Sequence, residues 1–278
     1  MTALTLARTP LLADAPKFAS AKPIWPEGRE TEKNLSIGFR ATFTAPVGQR
    51  TLLRMTGSTL YRVWLNGQFL AHGPARGPHG FYRVDEIDLT ERLAKSANLL
   101  AIEVAGYNAN SYYLLDQPSF LQAEVVSEGN VLASTAGSGA AFSATILKER
   151  VQKVQRYSFQ RPFTEVYRLT PGFDAWRIRP DEPVETMKCA VAEAKALLPR
   201  RVSYSEFSKR GVTSLVSSGE LATGLKVDAL WKDRSLTQIG PALGGYPQKE
   251  LASIPSLELQ TIASATNRPA NRTLAADE

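Results

Sequence analysis

The sequence predicts an all-β protein, an antiparallel β-sandwich or jelly roll with a small C-terminal β appendage. In several short segments apolar residues alternate with polar ones, which is the period of a strand that buries one face. Turn residues separate these segments at the spacing that is typical of sandwiches. Of the 278 residues, 43% are hydrophobic and 22% are charged. A chain of this composition can bury a core, so it is not a disordered protein.

The first predicted strand begins at Leu35. The residues before it, 1–34, contain four prolines and little periodicity, so we expect an arm that lies over the surface of a domain, with Trp25 as its anchor. From 35 to 43 apolar residues alternate with polar or small ones. Pro46 and Gly48 then end the strand.

The clearest local signal is a β-hairpin. Alternating residues run from Tyr61 to Leu65 and directly into Asn66-Gly67. This dipeptide favours a hairpin because both central positions of a type I′ turn need positive φ. The return strand is predicted at 68–72, and a loop rich in glycine and proline, 73–80, follows it.

The next predicted elements alternate between strands and turns. Asp88-Leu89-Thr90 indicates a short helical turn, and 100–104 form a buried strand. A polar, aromatic loop at 106–118 leads into a strand at 120–126, which turns at Glu128-Gly129-Asn130.

The pattern weakens after Ser134. Segments 142–147, 151–159 and 163–169 each suit a strand, while 184–198 suits either a helix or β pairing. We therefore divide the chain into an N-terminal arm (1–34), a β-sandwich module (35–200), and a small β appendage with linker and tail (201–278). In this last region apolar residues become sparse, and glycine, serine and proline increase.

Several kinds of chemistry lack the residues that they need. His72 and His79 are the only histidines and Cys189 is the only cysteine, so there is no cluster at zinc-like spacing and no disulfide within the chain. The glycines of 73–80 lack the following Lys-Ser/Thr of a phosphate loop. No Gly-x-Ser-x-Gly elbow is present either. We expect no cofactor and no metal ion.

Charge and hydropathy also limit the partners. The formal charge of +6 is spread along the chain, so we expect no nucleic-acid binding. Basic and aromatic residues alternate in 148–161, which we interpret as the polar face of a strand. No run approaches the ~20 apolar residues of a membrane helix, and the N-terminus lacks the pattern of a signal peptide. We expect a cytoplasmic protein that does not associate with membranes.

A tyrosine-rich loop is the main candidate for a binding site. A sugar site combines aromatic planes, which pack on the C–H face of the ring, with fixed polar groups for the hydroxyls. The alternative is that the tyrosines pack on the rim of the sandwich or on an adjoining domain, and that the amides serve the turn. For the Gly/Pro loop the alternative is a salt bridge within the loop. The candidate carbohydrate-binding residues are Tyr107, Asn108, Asn110, Tyr112, Tyr113 and Asp116, with Arg76 and His79 from the Gly/Pro loop.

The order of these motifs resembles a known architecture. The Asn66-Gly67 hairpin, the Asp88-Leu89-Thr90 turn and the strand 98–104 resemble the galactose-binding-like β-sandwich modules of glycoside hydrolases. With the Gly73-Pro74-Ala75-Arg76-Gly77 loop and the segment 160–167, the chain is similar to the N-terminal part of family 78 glycoside hydrolases, the bacterial α-L-rhamnosidases. The resemblance covers roughly residues 25–200.

The resemblance implies an accessory role. The catalytic acids of that family lie in an (α/α)6 barrel that follows several β modules, so no catalytic residue is carried over to this chain. We expect a carbohydrate-associated module without the barrel, and whether it has activity of its own stays open. The implied partners are a rhamnose-containing glycan and a catalytic barrel on a downstream or separate chain. The alternative is a structural or interaction module that docks a separate catalytic domain without binding sugar.

Overall fold

The fold is described from a computed structural model, which covers residues 17–156, 160–206, 217–223, 245–252 and 257–264. The described residues belong to two units. The first unit is Met1–Gln152 with Val166–Tyr204, and the second is Lys153–Glu165 with Ser205–Glu278. In chain order the strands of the first unit are β1 (Ile24–Pro26), β2 (Leu35–Phe43), β3 (Thr51–Ser58), β4 (Leu60–Leu65), β5 (Gln68–Gly73), β6 (Phe81–Asp88), β7 (Asn98–Gly106), β8 (Phe120–Ser127), β9 (Asn130–Ser134), β10 (Ala140–Ala141), β11 (Ser143–Ile146), β12 (Cys189–Val191) and β13 (Ala196–Pro199).

These strands form two sheets, and the predicted all-β sandwich is confirmed. The first sheet has 8 strands in the order β10-β9-β8-β3-β6-β13, with β1 pairing both β8 and β12. The second has 5 strands in the order β11-β2-β7-β4-β5. Most neighbours are antiparallel, whereas β10 pairs with β9 and β13 with β6 in parallel.

The core lies between the two sheets. The alternation predicted for β2 puts Ile37 and Phe39 into it, and both are fully buried. Leu53 of β3 and Leu121 of β8 contribute from the first sheet. Trp25 of β1 packs against Phe39 with ring centroids 5.8 Å apart, so the anchor expected for the N-terminal arm is present.

The second sheet is also covered on its outer face, because every residue of β7 is buried. A second apolar cluster of Trp64, Ala101, Leu147 and Trp176 forms this outer layer. Arg40 of β2 fastens the covering segment by donating hydrogen bonds to main-chain oxygens, among them that of Trp176 at 3.3 Å. The sequence pattern did not predict a second layer, because the segment that forms it is irregular.

The predicted turns are found in the structure. Asn66 and Gly67 have φ values of 51° and 77°, as a type I′ turn requires. The short helical turn is a 3₁₀ turn at Thr90–Arg92. Glu128 and Gly129 also have positive φ, at 44° and 87°, between β8 and β9.

Two expectations for the region after Ser134 are corrected. Segment 184–198 forms β12 and β13, so the helical interpretation is wrong. In 151–156 and 163–169 the described residues form isolated bridges, Arg150↔Tyr167 and Arg156↔Phe163, rather than strands. Arg150 and Arg156 are themselves buried, so they are not part of an exposed polar face. Alternation in sequence does not tell whether two segments pair over enough residues to form a ladder, and here the described residues pair only at single bridges.

The N-terminal arm is held by one buried carboxylate. Glu124 of β8 accepts hydrogen bonds from the main-chain N–H groups of Ala19, Ser20 and Ala21 at 2.9, 3.0 and 3.1 Å. It also pairs with Arg54 at 3.0 Å. Residues 1–16 of the predicted arm lie outside the described residues.

The second unit contains an antiparallel pair, β14 (Ser217–Thr223) and β15 (Leu257–Ser264). A 3₁₀ turn follows Pro247 at Gln248–Glu250, and Lys153 pairs with Glu250. The β14–β15 pair falls within the region predicted as the C-terminal appendage. Residues 207–216, 224–244, 253–256 and 265–278 of this predicted region, including the last ten residues that we expected to be loose, lie outside the described residues.

The outer layer of the second sheet requires a glycine in β2. A Cβ atom at Gly38 would lie 2.8 Å from Leu147 Cδ2 and 2.9 Å from Trp176 Cζ3. We expect Gly38→Ala to lower the free energy of unfolding by about 1–3 kcal/mol, because both side chains must move. Urea unfolding followed by tryptophan fluorescence measures this change. Thr42→Ala, on the same strand but exposed, is the control. Equal stability of the two variants would contradict this packing.

Candidate functional site

A cleft opens at the end of the sandwich where β5 and β7 end and β6 and β8 begin. Three connections between the two sheets meet there: the β3–β4 link at Thr59, the β5–β6 loop (74–80) and the β7–β8 loop (107–119). The cleft has a volume of about 260 Å³. That is just below the range of roughly 300–1,000 Å³ that is usual for small-molecule sites.

Glycines set the course of the β5–β6 loop, the Gly/Pro loop of the sequence. A Cβ atom at Gly73 would collide with Asp85 and would lie 2.6 Å from Tyr61 Oη. A Cβ atom at Gly77 would lie 2.8 Å from the main-chain oxygen of Phe81. These glycines allow the loop to run close to β6 and β4, which explains them without a phosphate.

Two of the predicted sugar-binding residues belong to the interior. Asn108 donates to the main-chain oxygens of Glu30 and Glu32 at 2.9 and 3.0 Å. Tyr107 is also buried, and its hydroxyl accepts a hydrogen bond from Arg150 Nη2 at 2.9 Å. Both side chains fix the start of the loop, so we leave them out of the proposed site.

Three more predicted residues lie outside the cleft lining. Asn110 Oδ1 accepts a hydrogen bond from the main-chain N–H of Asp116 at 2.9 Å, which closes the β7–β8 loop on itself. Asp116 on the β7–β8 loop and His79 on the β5–β6 loop are exposed, but neither lines the cleft. Asn110 therefore serves the turn, as the alternative interpretation expected.

The remaining three predicted residues meet at the mouth of the cleft. Tyr112 and Tyr113 are 69% and 36% exposed. The guanidinium of Arg76 lies over the ring of Tyr113, 5.8 Å from its centroid. The structure thus brings the Gly/Pro loop and the tyrosine-rich loop together, which the sequence alone did not show.

The sequence pattern did not identify the residues of β6 that line the cleft. Tyr82 donates from its hydroxyl to Gln117 Oε1 at 3.3 Å, and its ring stands edge-on against Phe120. Phe81 is 46% exposed and Arg83 also lines the cleft. The available signal was the run Phe81-Tyr82-Arg83 directly after Gly80, at the point where a strand leaves the loop.

A buried network supports β6 beneath the cleft. Asp85 accepts hydrogen bonds from Tyr61 Oη and, at 2.7 Å, from Arg200 Nη1. Burial and the carboxylate of Asp85 hold the pKa of Tyr61 well above its usual value, so its hydroxyl stays a donor. Arg200 in turn stacks on Tyr204, 4.2 Å from the ring centroid. Burial, followed by the charge of Asp85, raises the pKa of Tyr204 to about 12.

A second charged cluster lies on the outer face of the second sheet. Glu103 pairs with Arg62 at 2.8 Å and with Arg150 at 3.5 Å. Burial raises the pKa of Glu149, a main-chain hydrogen bond lowers it, and the charge of Glu103 raises it, so that the net shift is upward. Burial lowers the pKa of His72, and the charge of Arg62 lowers it further. Glu103 is engaged by two arginines, so it serves the fold.

The described residues contain neither a cluster of metal ligands nor a membrane-spanning helix. Within them no three His, Cys, Asp or Glu side chains are grouped so that they could hold a metal ion. Burial raises the pKa of the Cys189 thiol to about 11, which disfavours the thiolate that metals bind. No helix in this part of the chain is long and apolar enough to span a membrane.

Comparison with known proteins finds solved structures with a similar fold. No family model and no curated protein matches the sequence. Among solved structures, the chain is similar to a β region of α-L-rhamnosidases. The rhamnosidase of family GH78 from Bacillus sp. GL1 is 22% identical with a TM-score of 0.60, and the match covers 78% of this chain and 24% of that one.

Two other α-L-rhamnosidases are similar at lower scores. The enzyme from Dictyoglumus thermophilum is 16% identical with a TM-score of 0.45, over 74% of this chain and 24% of that chain. The Streptomyces avermitilis enzyme, complexed with L-rhamnose, is 17% identical with a TM-score of 0.41, over 65% and 15%. The chain thus spans about a quarter or less of these structures. The resemblance inferred from the motifs is confirmed for the fold of this β region.

Alkaline pH tests the network beneath the cleft. The pKa of Tyr204 is about 12 in the folded protein and roughly 10 in an unfolded chain. The folded state therefore keeps this proton longer, and the stability that it contributes is lost as pH rises from about 10 to about 12. We expect the urea midpoint to fall less steeply over this range in Tyr204→Phe than in the wild type. Parallel curves for the two proteins would show that Tyr204 does not titrate in this way.

Proposed function

We propose that the chain is a carbohydrate-associated β-sandwich module related to the N-terminal region of α-L-rhamnosidases, and that its cleft binds a sugar directly. The observation that carries the proposal is the pair of exposed tyrosines at the cleft mouth, Tyr112 and Tyr113, beside the polar groups of Gln117 and Arg76. This is the mixture of aromatic planes and fixed polar groups that a sugar ring needs.

Contacts within the two loops preorder the proposed site. Ser111 Oγ accepts hydrogen bonds from the main-chain N–H groups of Tyr113 and Leu114 at 3.3 and 3.0 Å, which fixes the turn that carries the tyrosines. Arg76 stacks on one face of the Tyr113 ring. A preordered site loses less conformational entropy when it binds. This favours binding of a small ligand to a shallow surface.

The buried acids of the first unit support a binding role rather than hydrolysis. Asp85, Glu103 and Glu124 each pair with an arginine, so each carboxylate has a structural partner. We therefore propose that a catalytic barrel is supplied by another part of the protein or by a separate chain. A rhamnose-containing glycan is the proposed ligand, by analogy with the rhamnosidases whose fold the chain shares.

The expected affinity is low. A monosaccharide has about eleven non-hydrogen atoms, and at roughly 0.3 kcal/mol per atom the binding free energy is ~3–4 kcal/mol. That corresponds to a millimolar dissociation constant. A titration must therefore reach about 50 mM sugar to approach saturation.

The test is a calorimetric or NMR titration with L-rhamnose and methyl α-L-rhamnoside. We expect Tyr112→Ala and Tyr113→Ala each to weaken binding by about five- to tenfold, because each variant removes one aromatic plane. Phe69→Ala is the matched control, since Phe69 is an exposed aromatic residue on β5 at the opposite end of the sandwich. It should leave the affinity unchanged.

The titration also separates the two candidate roles. If the wild-type protein gives no signal at saturating sugar, the cleft does not bind these sugars directly. The tyrosines would then serve contact with another domain, and Tyr112→Ala should weaken co-purification with a catalytic partner. Incubation with p-nitrophenyl α-L-rhamnoside should release no nitrophenol above a boiled control. Release would show that this chain carries an active site of its own.

A further inference from the structure

The charge of the cleft is one-sided. Arg76 and Arg83 both line it, and none of the described residues that line it is an aspartate or a glutamate. Neither arginine forms an ion pair in the part of the chain that the structure describes, so the salt bridge within the loop that the sequence allowed for Arg76 is not found there. The other charged groups nearby, such as Asp85 and Arg200, neutralise each other below the cleft.

The two guanidiniums are held in place by groups that carry no charge. Arg83 donates from Nε to the main-chain oxygen of Arg76 at 2.6 Å and from Nη1 to that of Pro199 at 2.8 Å. Arg76 lies over the ring of Tyr113. Arg83 is half-buried and Arg76 is exposed, so the Arg83 guanidinium, which has lost part of its hydration, gains most from a nearby anion. The two positive charges are therefore positioned and uncompensated.

We propose that the cleft selects an acidic sugar, a uronic acid within a glycan, whose carboxylate pairs with Arg76 and Arg83. The inference rests on the proposed function, because the ring of the same sugar would pack on Tyr112 or Tyr113. A guanidinium matches a carboxylate through parallel hydrogen bonds, which makes arginine the suitable residue for this group. Among the described lining residues no carboxylate would repel that of the sugar.

Matched sugars test this preference. We would titrate the protein with methyl α-D-galacturonoside and with methyl α-D-galactoside, which differ only in the carboxylate. We expect the acidic sugar to bind about five- to tenfold more tightly at low ionic strength, and the difference to shrink in about 0.5 M NaCl because salt screens the partly exposed charges.

Two variants with the same change in net charge locate the effect. Arg76→Gln should bring the ratio of the two affinities close to one, because it weakens binding of the acidic sugar more than binding of the neutral sugar. Arg92→Gln is the control, because Arg92 is exposed on the 3₁₀ turn after β6 and does not line the cleft. It should keep the preference of the wild type. Far-ultraviolet circular dichroism checks that both variants are folded.

Each outcome has one meaning. Equal affinity for the two sugars, with binding still dependent on Tyr112, overturns the inference and leaves the proposed function standing. No binding of any sugar overturns both. A preference that survives unchanged in Arg76→Gln means that Arg76 does not pair with the carboxylate, which overturns the inference in the form given. If sodium acetate displaces the acidic sugar at equal concentration, the cleft is a general anion site, and the inference is wrong.

Discussion

The cost of burying a carboxylate governs how the irregular parts of this chain are held. An ionised carboxyl group is stable inside a protein only where cations and N–H or O–H donors surround it. Three strands that follow one another along the chain, β6, β7 and β8, each place one such group in the interior, and each recruits an arginine together with a segment outside the regular strands. Asp85 holds Arg200 and the residues after β13, Glu103 holds Arg150 of the covering segment, and Glu124 holds Arg54 and the main chain at 19–21.

The covering of the second sheet follows from the same requirement. The outer face of this sheet carries the apolar side chains of Trp64 and Ala101 as well as the carboxylate of Glu103. Without a covering segment this apolar area would be exposed to water. Residues after β11 supply Leu147 and Trp176 for the apolar part and Arg150 for the acid. Arg177, stacked 4.6 Å from the centroid of the Trp64 ring, closes the layer toward solvent. The segment has little regular structure because its side chains, rather than a hydrogen-bonded ladder, hold it.

Sequence patterns identified what is determined locally. Asn66-Gly67 indicated a hairpin because positive φ is a property of those residues, and the alternation around Ile37 and Phe39 indicated which face is buried. Sequence patterns did not identify the contacts between residues that are far apart along the chain. Tyr107 and Asn108 look like ligand contacts in sequence, but Arg150 and the main chain of Glu30, which engage them, lie far away along the chain. For the same reason the approach of Arg76 to Tyr113 was not predictable, since nothing in the order of residues tells which two loops meet.

The position of the cleft has a consequence for the evolution of such modules. Its walls are mainly connections between the two sheets, with Phe81, Tyr82 and Arg83 of β6, whereas the core is formed by the strands themselves. Exposed positions such as Tyr112 can therefore change without creating cavities or strain in the sandwich. Selection can act on ligand preference and on fold stability separately, except at Gly73 and Asp85, where the wall touches the core. Relatives that keep these two residues and vary the rest would share one scaffold while recognising different glycans.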